Sequence, residues 1–157
     1  MEVVCVTDIP ELELVERDAV RDIYAVSKDK QLIVYTDRIT AFGYELDKPV
    51  PLRGVVLHQI SLFWMQKFGH MARHNVVADH VKKFPPLLER YEKILTGRSM
   101  ITQNLKMMPL QFRLIGNLSG RDWQESQETG IINGMLLPQW RKDSDQLANP
   151  LPPLKPA

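Results

Sequence analysis

The sequence predicts an α+β fold in which an antiparallel β-sheet packs with a few helices. Two stretches rich in β-branched and aromatic residues, 20–26 and 32–35, flank a short polar turn, which indicates a β-hairpin. Apolar residues recur at helical spacing between 55 and 68. With 157 residues, 44% of them hydrophobic, the chain is long enough to bury one sizeable core without disulfides or a metal.

Before the hairpin, the sequence predicts two short strands separated by Pro10. Residues 3–6 are typical of an edge strand, and residues 12–15 are typical of a second strand. Together with the hairpin, these strands make the N-terminal part of the predicted fold rich in β-structure.

Charged residues stand at both rims of the predicted hairpin. Arg21 and Asp22 lie at the start of the first strand, and Asp37 and Arg38 follow the second. Neighbouring Asp and Arg residues build either a structural ion-pair corner or the polar wall of a cleft, and the corner is the commoner outcome. Residue types alone leave both interpretations open.

The motifs VRDIY and TDRITAF, followed by a helix that contains QISLFW, resemble the N-terminal lobe of the SAICAR synthetase family. GRSM at 97–100 matches a further signature of that family. The resemblance covers nearly the whole chain and implies the family's fold. It also implies descent from phosphoribosylaminoimidazole-succinocarboxamide synthase, an ATP-dependent carbon–nitrogen ligase of purine biosynthesis. In that reaction ATP activates the carboxylate of an imidazole nucleotide, which the amine of aspartate then attacks.

The chain departs from the family where the family holds phosphates and other anions. The family's glycine and lysine of a phosphate-covering loop, its basic pair and one of its arginines are replaced by Asp18, Ala19, Gln103, Asn104 and Ile115. Phosphoryl transfer depends on cations that neutralise the moving phosphate. The family's second lobe, with its Mg-binding acidic residues, is also missing from the sequence. We therefore expect no ligase activity from this chain alone.

A central helix is predicted for residues 55–68, closed by Gly69. Phe63 and Trp64 lie on the wide apolar face of this helix, so they are expected in the core rather than at a ligand. A second, short helix is predicted for 87–95, ending at Gly97.

The second half of the chain predicts a strand at 110–115, a helix at 123–129 closed by Gly130, and a hairpin at 131–138. Asn133 and Gly134 suit the two-residue turn of that hairpin.

The chain is expected to form a single domain, with a β-rich N-terminal lobe at 1–97 and the start of a second lobe at 98–157. Four prolines lie within the last eight residues. Proline has no backbone N–H to donate, so this tail is predicted to lack regular structure.

Composition excludes several classes of function. Lys and Arg number 20 against 19 acidic residues, so no nucleic-acid partner is expected. No apolar run reaches the length of a membrane span, and the single cysteine, Cys5, suits a reducing cytoplasm. His70 and His74 are spaced like zinc ligands, but Met71 stands where zincins carry glutamate, so no metal is predicted.

Three functional hypotheses follow. In the first, the lobe is repurposed to bind or transform a less anionic small molecule without a cofactor, for example in specialised metabolism. In the second, it is a diverged or split SAICAR synthetase that uses ATP and Mg when a separate partner lobe completes it. In the third, it is a non-catalytic homodimeric interaction module, because a lobe without its neighbour leaves an apolar face.

If the cleft is catalytic, the resemblance and the polar residues particular to this chain name its candidates. The catalytic candidates are Asp22, Asp37, Asp122 and Lys106. The ligand-binding candidates are Arg21, Arg38, Arg98, Arg113 and Arg121. For each of them the alternative is an ion-paired scaffold residue.

Overall fold

The computed structural model describes residues 3–41, 44–106, 109–112, 115–132, 135–136, 142–144, 146–151 and 154–156. The chain forms two compact units, Met1–Leu105 and Lys106–Ala157. Among the described residues, no helix is long and apolar enough to cross a lipid bilayer.

The first unit is built on a sheet with helices beside it. Its elements in chain order are β1 (Glu13–Arg17), β2 (Arg21–Ser27), β3 (Lys30–Tyr35), β4 (Thr40–Ala41), β5 (Tyr44–Glu45), α1 (Arg53–Phe68), β6 (Val76–Ala78), two 3-10 helices (Val81–Lys83 and Pro86–Tyr91), α2 (Glu92–Leu95) and β7 (Ser99–Gln103). Five of these strands form one sheet in the order β1-β2-β3-β7-β6, with every neighbouring pair antiparallel. Strands β4 and β5 pair separately. The predicted α+β class is confirmed.

The predicted hairpin is confirmed as β2 and β3. Ile23 pairs with Ile33, and Tyr24 pairs with Leu32. Because alternate residues of a strand point to opposite faces, these pairs lie on the two sides of the sheet. Each side is buried in its own apolar cluster. Burial on both faces explains why the middle of β3 is an unbroken apolar run.

The larger apolar cluster covers one face of the sheet. Leu88 from the second 3-10 helix and Leu95 from α2 pack with Tyr24 and Leu32. The cluster also contains Ile9, Val34, Ala78, Phe84 and Ile101. The segment predicted as one helix at 87–95 is therefore present, but most of it is 3-10 helix, with α2 as its last turn.

The N-terminal edge strand predicted at 3–6 is wrong. Val4 donates its N–H to Oδ2 of Asp37 at 2.9 Å and accepts the Asp37 N–H at 2.7 Å. The backbone groups of Val4 are thus held by one aspartate instead of a neighbouring strand. The second strand predicted nearby, at 12–15, is confirmed as β1.

Helix α1 and its end at Gly69 are confirmed, but the prediction that Phe63 and Trp64 lie in the core is wrong. Their side chains are 55% and 46% exposed. The buried residues of α1 are Gly54 and His58, on the opposite side. A Cβ at Gly54 would clash with the Tyr35 carbonyl oxygen, so glycine lets the helix approach the end of β3 closely.

The second unit contains short paired strands and one helix. Its elements are β8 (Leu110–Phe112), β9 (Ile115–Asn117), α3 (Gly120–Thr129), β10 (Ile131–Ile132), β11 (Met135–Leu136), β12 (Gln146–Leu151) and β13 (Leu154–Pro156). The pairs are β8 with β13, β9 with β12, and β10 with β11, all antiparallel. Leu118, Ile132 and Leu147 form its described core, with Trp123 packed against them.

Two predictions for the second unit are confirmed. The helix exists as α3, and Gly130 ends it in the left-handed conformation at φ +69°. The hairpin exists as β10 and β11, although its turn residues Asn133 and Gly134 lie outside the described residues. The strand predicted at 110–115 corresponds to two strands with different partners, β8 and β9.

The prediction that the proline-rich tail lacks regular structure is wrong. Pro150 lies within β12 and Pro156 within β13. Among the described residues, each of these strands pairs with one other strand. Edge strands tolerate proline where its missing N–H would point away from the partner strand.

Candidate functional site

The candidate acids of the hairpin are two fully buried carboxylates. Asp22 is the second residue of β2, and Asp37 is the second residue after β3 ends. Both are 0% exposed. Antiparallel pairing places Asp22 opposite Val34, which brings the two carboxylates to the same end of the hairpin. Buried carboxylates need several partners, and each has them.

Asp22 accepts four hydrogen bonds. Its Oδ2 accepts from the Thr7 N–H at 2.8 Å and from the Thr7 hydroxyl at 2.7 Å. Its Oδ1 accepts from Arg17 Nε at 3.0 Å and from an Arg38 terminal nitrogen at 2.8 Å. One carboxylate therefore ties the N-terminal segment, β1 and the end of the hairpin together.

The pKa of Asp22 lies below its ordinary value. Burial is the largest single influence and by itself raises the pKa. The donors on Thr7, Arg38 and Arg17 together outweigh burial because they stabilise the charged form. A carboxylate with four partners and a lowered pKa is a weak proton acceptor.

Arg38 is the hub of this network. It is 3% exposed and donates to the carbonyls of Cys5 at 2.6 Å, Asp18 at 2.7 Å and Arg21 at 3.1 Å, besides Asp22. A guanidinium suits this set of acceptors because it holds several N–H donors in one rigid plane. Its Nε has no partner among the described residues. Both terminal nitrogens of the side chain therefore bond to the protein itself.

Asp37 forms a second buried ion pair. Its Oδ2 lies 3.1 Å from an Arg98 terminal nitrogen. Its Oδ1 accepts the Gly54 N–H at 2.9 Å, one of the free amides at the start of α1. This aspartate thus caps a helix that begins sixteen residues later in the sequence, at Arg53.

The loop before β2 is closed by its own carboxylate. Oδ1 of Asp18 accepts the N–H groups of Val20 at 2.8 Å and Arg21 at 2.6 Å. Oδ2 accepts from Arg21 Nε at 2.8 Å. Burial raises the pKa of Asp18, but these donors more than compensate and hold it below its usual range. Donors that could otherwise receive an external anion are occupied.

The structure brings together some of the candidates and separates others. Asp22 contacts Arg38, Asp37 contacts Arg98, and Arg21 contacts Asp18 rather than another candidate. Their charges form the ion-paired arrangement that the sequence left as one of two alternatives. Their catalytic and ligand-binding roles stay predictions.

The remaining candidates belong to the second unit. Lys106 is exposed at its start, and Asp122 is buried in the first turn of α3, where it has interaction partners. Arg121 lies on α3, and its side chain is outside the described set. Arg113 lies outside the described residues altogether.

Sequence reasoning missed three residues of the network, Thr7, Arg17 and Tyr24. Thr7 gives both its N–H and its hydroxyl to Asp22, and Tyr24 donates its hydroxyl to the Thr7 carbonyl at 2.8 Å. Burial raises the pKa of Tyr24, and the charge of Asp22 adds to this effect. No local pattern links Thr7 to residues fifteen positions away, so only the folded chain reveals them.

His58 is a further buried titratable group. Its Nδ1 lies 2.9 Å from the Gly97 carbonyl, which can only accept, so Nδ1 carries the proton. Its Nε2 has no partner among the described residues. Burial is the main cause that lowers the pKa of His58, so the ring is neutral at pH 7.

The described residues contain no metal site, and one cavity is lined by residues other than the candidates. In the part of the chain that the structure describes, no three His, Cys, Asp or Glu side chains lie close enough to hold a metal ion. His70 and His74 follow the end of α1 and are exposed. A cavity of about 280 Å³ is lined by Val81, Lys82, Phe84, Glu89 and Glu92, none of which is a candidate.

Comparison with known proteins gives one consistent match. The family model described as SAICAR synthetase matches residues 14–151. The phosphoribosylaminoimidazole-succinocarboxamide synthase of Maridesulfovibrio salexigens is 39% identical over 145 residues, which is 92% of this chain and 48% of that protein. The enzyme of the same name from Geotalea uraniireducens is 38% identical over 148 residues, 94% of this chain and 50% of that protein.

A solved structure agrees. The SAICAR synthase from Saccharomyces cerevisiae, complexed with SAICAR, superposes with a TM-score of 0.86 at 30% identity, covering 98% of this chain and 54% of that one. This chain therefore spans about half the length of the relatives it matches.

Proposed function

The chain belongs to the SAICAR synthetase family, and from this membership we propose that it supplies the N-terminal half of an ATP-dependent carbon–nitrogen ligase. The reaction class is the one named for its relatives, phosphoribosylaminoimidazole-succinocarboxamide synthase. The observation that carries the proposal is the coverage, nearly all of this chain against about half of each relative.

The buried network supports this role as a scaffold. Asp22 with Arg38 and Asp37 with Arg98 hold the N-terminal segment, the hairpin and the start of α1 in one geometry. Buried ion pairs favour one conformation, because a rearrangement that separated the partners would leave a buried charge without its counter-charge. A rigid first half is what a second half needs to complete a shared site.

Two cations beside the predicted phosphate-covering loop already have partners within the chain, which supports a role for the second half in supplying phosphate-binding groups. Arg17 is bonded to Asp22 and to the Thr7 carbonyl, and Arg21 is bonded to Asp18. These guanidinium groups are engaged within the chain. Neutralising a transferred phosphoryl group requires cations free to contact it.

Complementation tests the proposal directly. The chain is co-expressed with the C-terminal half of the Maridesulfovibrio salexigens enzyme, and ATP-dependent joining of aspartate to the carboxylated aminoimidazole ribotide is measured. We expect the pair to turn over substrate at least about tenfold faster than either part alone. Turnover by the chain alone, or none by the co-expressed pair, would contradict the proposal. The C-terminal half by itself is the matched control.

The Asp18 loop favours a second candidate function, binding of a less anionic small molecule. The carboxylate of Asp18 fills the position where the backbone amides of Val20 and Arg21 converge. A polyphosphate approaching this loop would meet like charge. Equilibrium dialysis with Mg-ATP and with adenosine separates the two functions, and micromolar binding of Mg-ATP by the chain alone rules this candidate out.

A further inference from the structure

Helix α1 presents an exposed apolar stripe on the side that faces away from the sheet. The stripe consists of Val56, Ile60, Phe63, Trp64 and Phe68, each 46–55% exposed. Their spacing places them in a row along one side of the helix. We call these five residues the α1 stripe.

Aromatic contacts make the C-terminal part of the stripe continuous. The rings of Trp64 and Phe68 stack with centroids 5.4 Å apart, and the Phe63 ring meets Trp64 edge-on at 5.1 Å. The Lys67 ammonium lies 5.1 Å from the Trp64 ring centre and 5.6 Å from that of Phe63. Exposed clustered aromatic residues are the groups that carry most of the energy in protein interfaces.

The other side of α1 is already used. Gly54 and His58 are buried, and Leu62 packs against the cluster of Ile23 and Ile33 on the sheet. Helix α1 is therefore apolar on both sides. A helix with this composition belongs in an inner layer, between two packed surfaces.

The positive charge of α1 and the residues that follow it indicates which kind of surface could cover the stripe. From Arg53 to Ala78 the sequence contains no Asp or Glu, while Lys67 and Arg73 are exposed cations. A second copy of α1 would bring cations against cations, which opposes association. A surface with an apolar centre and an acidic rim would complement both the apolar side chains of the stripe and the cations beside it.

We infer that the α1 stripe is the docking surface for the second half of a SAICAR synthetase-type fold, which presents an apolar patch rimmed by acidic side chains. This inference rests on the proposed function, and it names the surface through which the two halves meet. The relatives contain about as much additional chain as this chain has, so a second half of this kind is present in them.

The test measures binding rather than turnover. The chain is co-expressed with the C-terminal half of the Maridesulfovibrio salexigens enzyme, and the dissociation constant of the complex is measured by sedimentation. We expect Trp64→Ala with Phe68→Ala to weaken binding about hundredfold. We expect Lys67→Glu to weaken it in a manner that high salt relieves.

Val15→Thr with Val77→Thr is the matched control, because these valines are 59% and 51% exposed on the edge strands β1 and β6. Equal weakening by the control, no effect of the stripe variant, or no complex at all overturns the inference. A homodimer of the chain that the stripe variant abolishes also overturns it, in favour of a second copy. If the pair turns over substrate and the stripe variant does not change its binding, this inference is wrong and the proposed function stands. If the stripe variant weakens binding but the pair has no activity, the proposed function is wrong and this inference stands.

Discussion

The Oδ1 atom of Asp37 accepts the Gly54 N–H at 2.9 Å, so the carboxylate that follows β3 caps the first turn of α1. Its Oδ2 simultaneously pairs with Arg98, at the start of the GRSM segment, and with the Val4 N–H. One side chain therefore joins four parts of the first unit. Residues of both the TDR and the GRS motifs contribute to this junction.

Asp37→Ala is expected to destabilise the chain by about 3–5 kcal/mol, because it leaves Arg98 buried without its counter-charge. The amides of Gly54 and Val4 lose their acceptor as well. Urea denaturation monitored by circular dichroism measures the change. The matched control is Asp79→Ala, which breaks the exposed pair with Lys83 and should cost less than about 1 kcal/mol. Equal losses for the two variants would show that Asp37 is not a structural junction.

Gly54→Ala is expected to destabilise the chain although alanine is the better helix former. The added Cβ would clash with the Tyr35 carbonyl oxygen, and this backbone atom belongs to the central strand β3. We expect a net loss of about 1–3 kcal/mol, since overpacking outweighs the roughly 1 kcal/mol gained in helix propensity. Gly116→Ala is the control, because no described atom lies within 4 Å of a Cβ there. A stability gain for Gly54→Ala would contradict the close approach.

These two positions show what the sequence could and could not predict. The hairpin was predictable because apolar periodicity and a polar turn are local signals. The pairing of Asp37 with Gly54 was not, because it joins residues whose distance depends on how α1 lies on the sheet. For the same reason, sequence alone could not choose which side of α1 is buried. Both sides are apolar, and the side that packs closest is the one with the small Gly54.

Several residues of the candidate site could be predicted from the sequence, but the hydrogen bonds that join them could not. Asp22 and Arg38 were both candidates, yet Thr7 and Arg17, which complete the shell of Asp22, carry no periodic or motif signal. The N-terminal strand was predicted wrongly because the pattern of valines fits a paired strand as well as it fits the unpaired segment that is observed. Asp37, through its carboxylate and its backbone N–H, takes up the hydrogen bonds of Val4 in place of a neighbouring strand.

Stability is expected to fall as the pH drops below about 6.5, because His58 is buried and neutral. Its pKa is lower in the folded than in the unfolded chain, so the unfolded chain binds the proton first and is favoured. The contribution is complete above the unfolded pKa and disappears as the pH falls through the folded one. Urea denaturation at several pH values measures it, and His58→Gln should flatten the slope below about pH 6.5. An unchanged slope would assign the effect to other groups.

A separate loss is expected in stronger acid from Asp22. Its pKa is lowered in the folded chain, so its contribution is present above its ordinary pKa of about 3.9 and is lost below it. Asp22→Asn should remove this acid-dependent part and lower stability at pH 7. Urea denaturation below pH 4 checks it, and a variant that keeps the full acid dependence would show that other carboxylates cause it.

Asp18→Ala is expected to turn the loop before β2 into an anion site. Without the carboxylate, the N–H groups of Val20 and Arg21 and the Arg21 guanidinium lose their shared acceptor and are free to bind an oxyanion. Tripolyphosphate should therefore raise the melting temperature of the variant while leaving the original chain unchanged. Asp29→Ala is the control, because its carboxylate accepts only a side-chain bond from Ser27 among the bonds described for it. If tripolyphosphate stabilised the original chain equally, the Asp18 carboxylate would not be the group that keeps phosphates out.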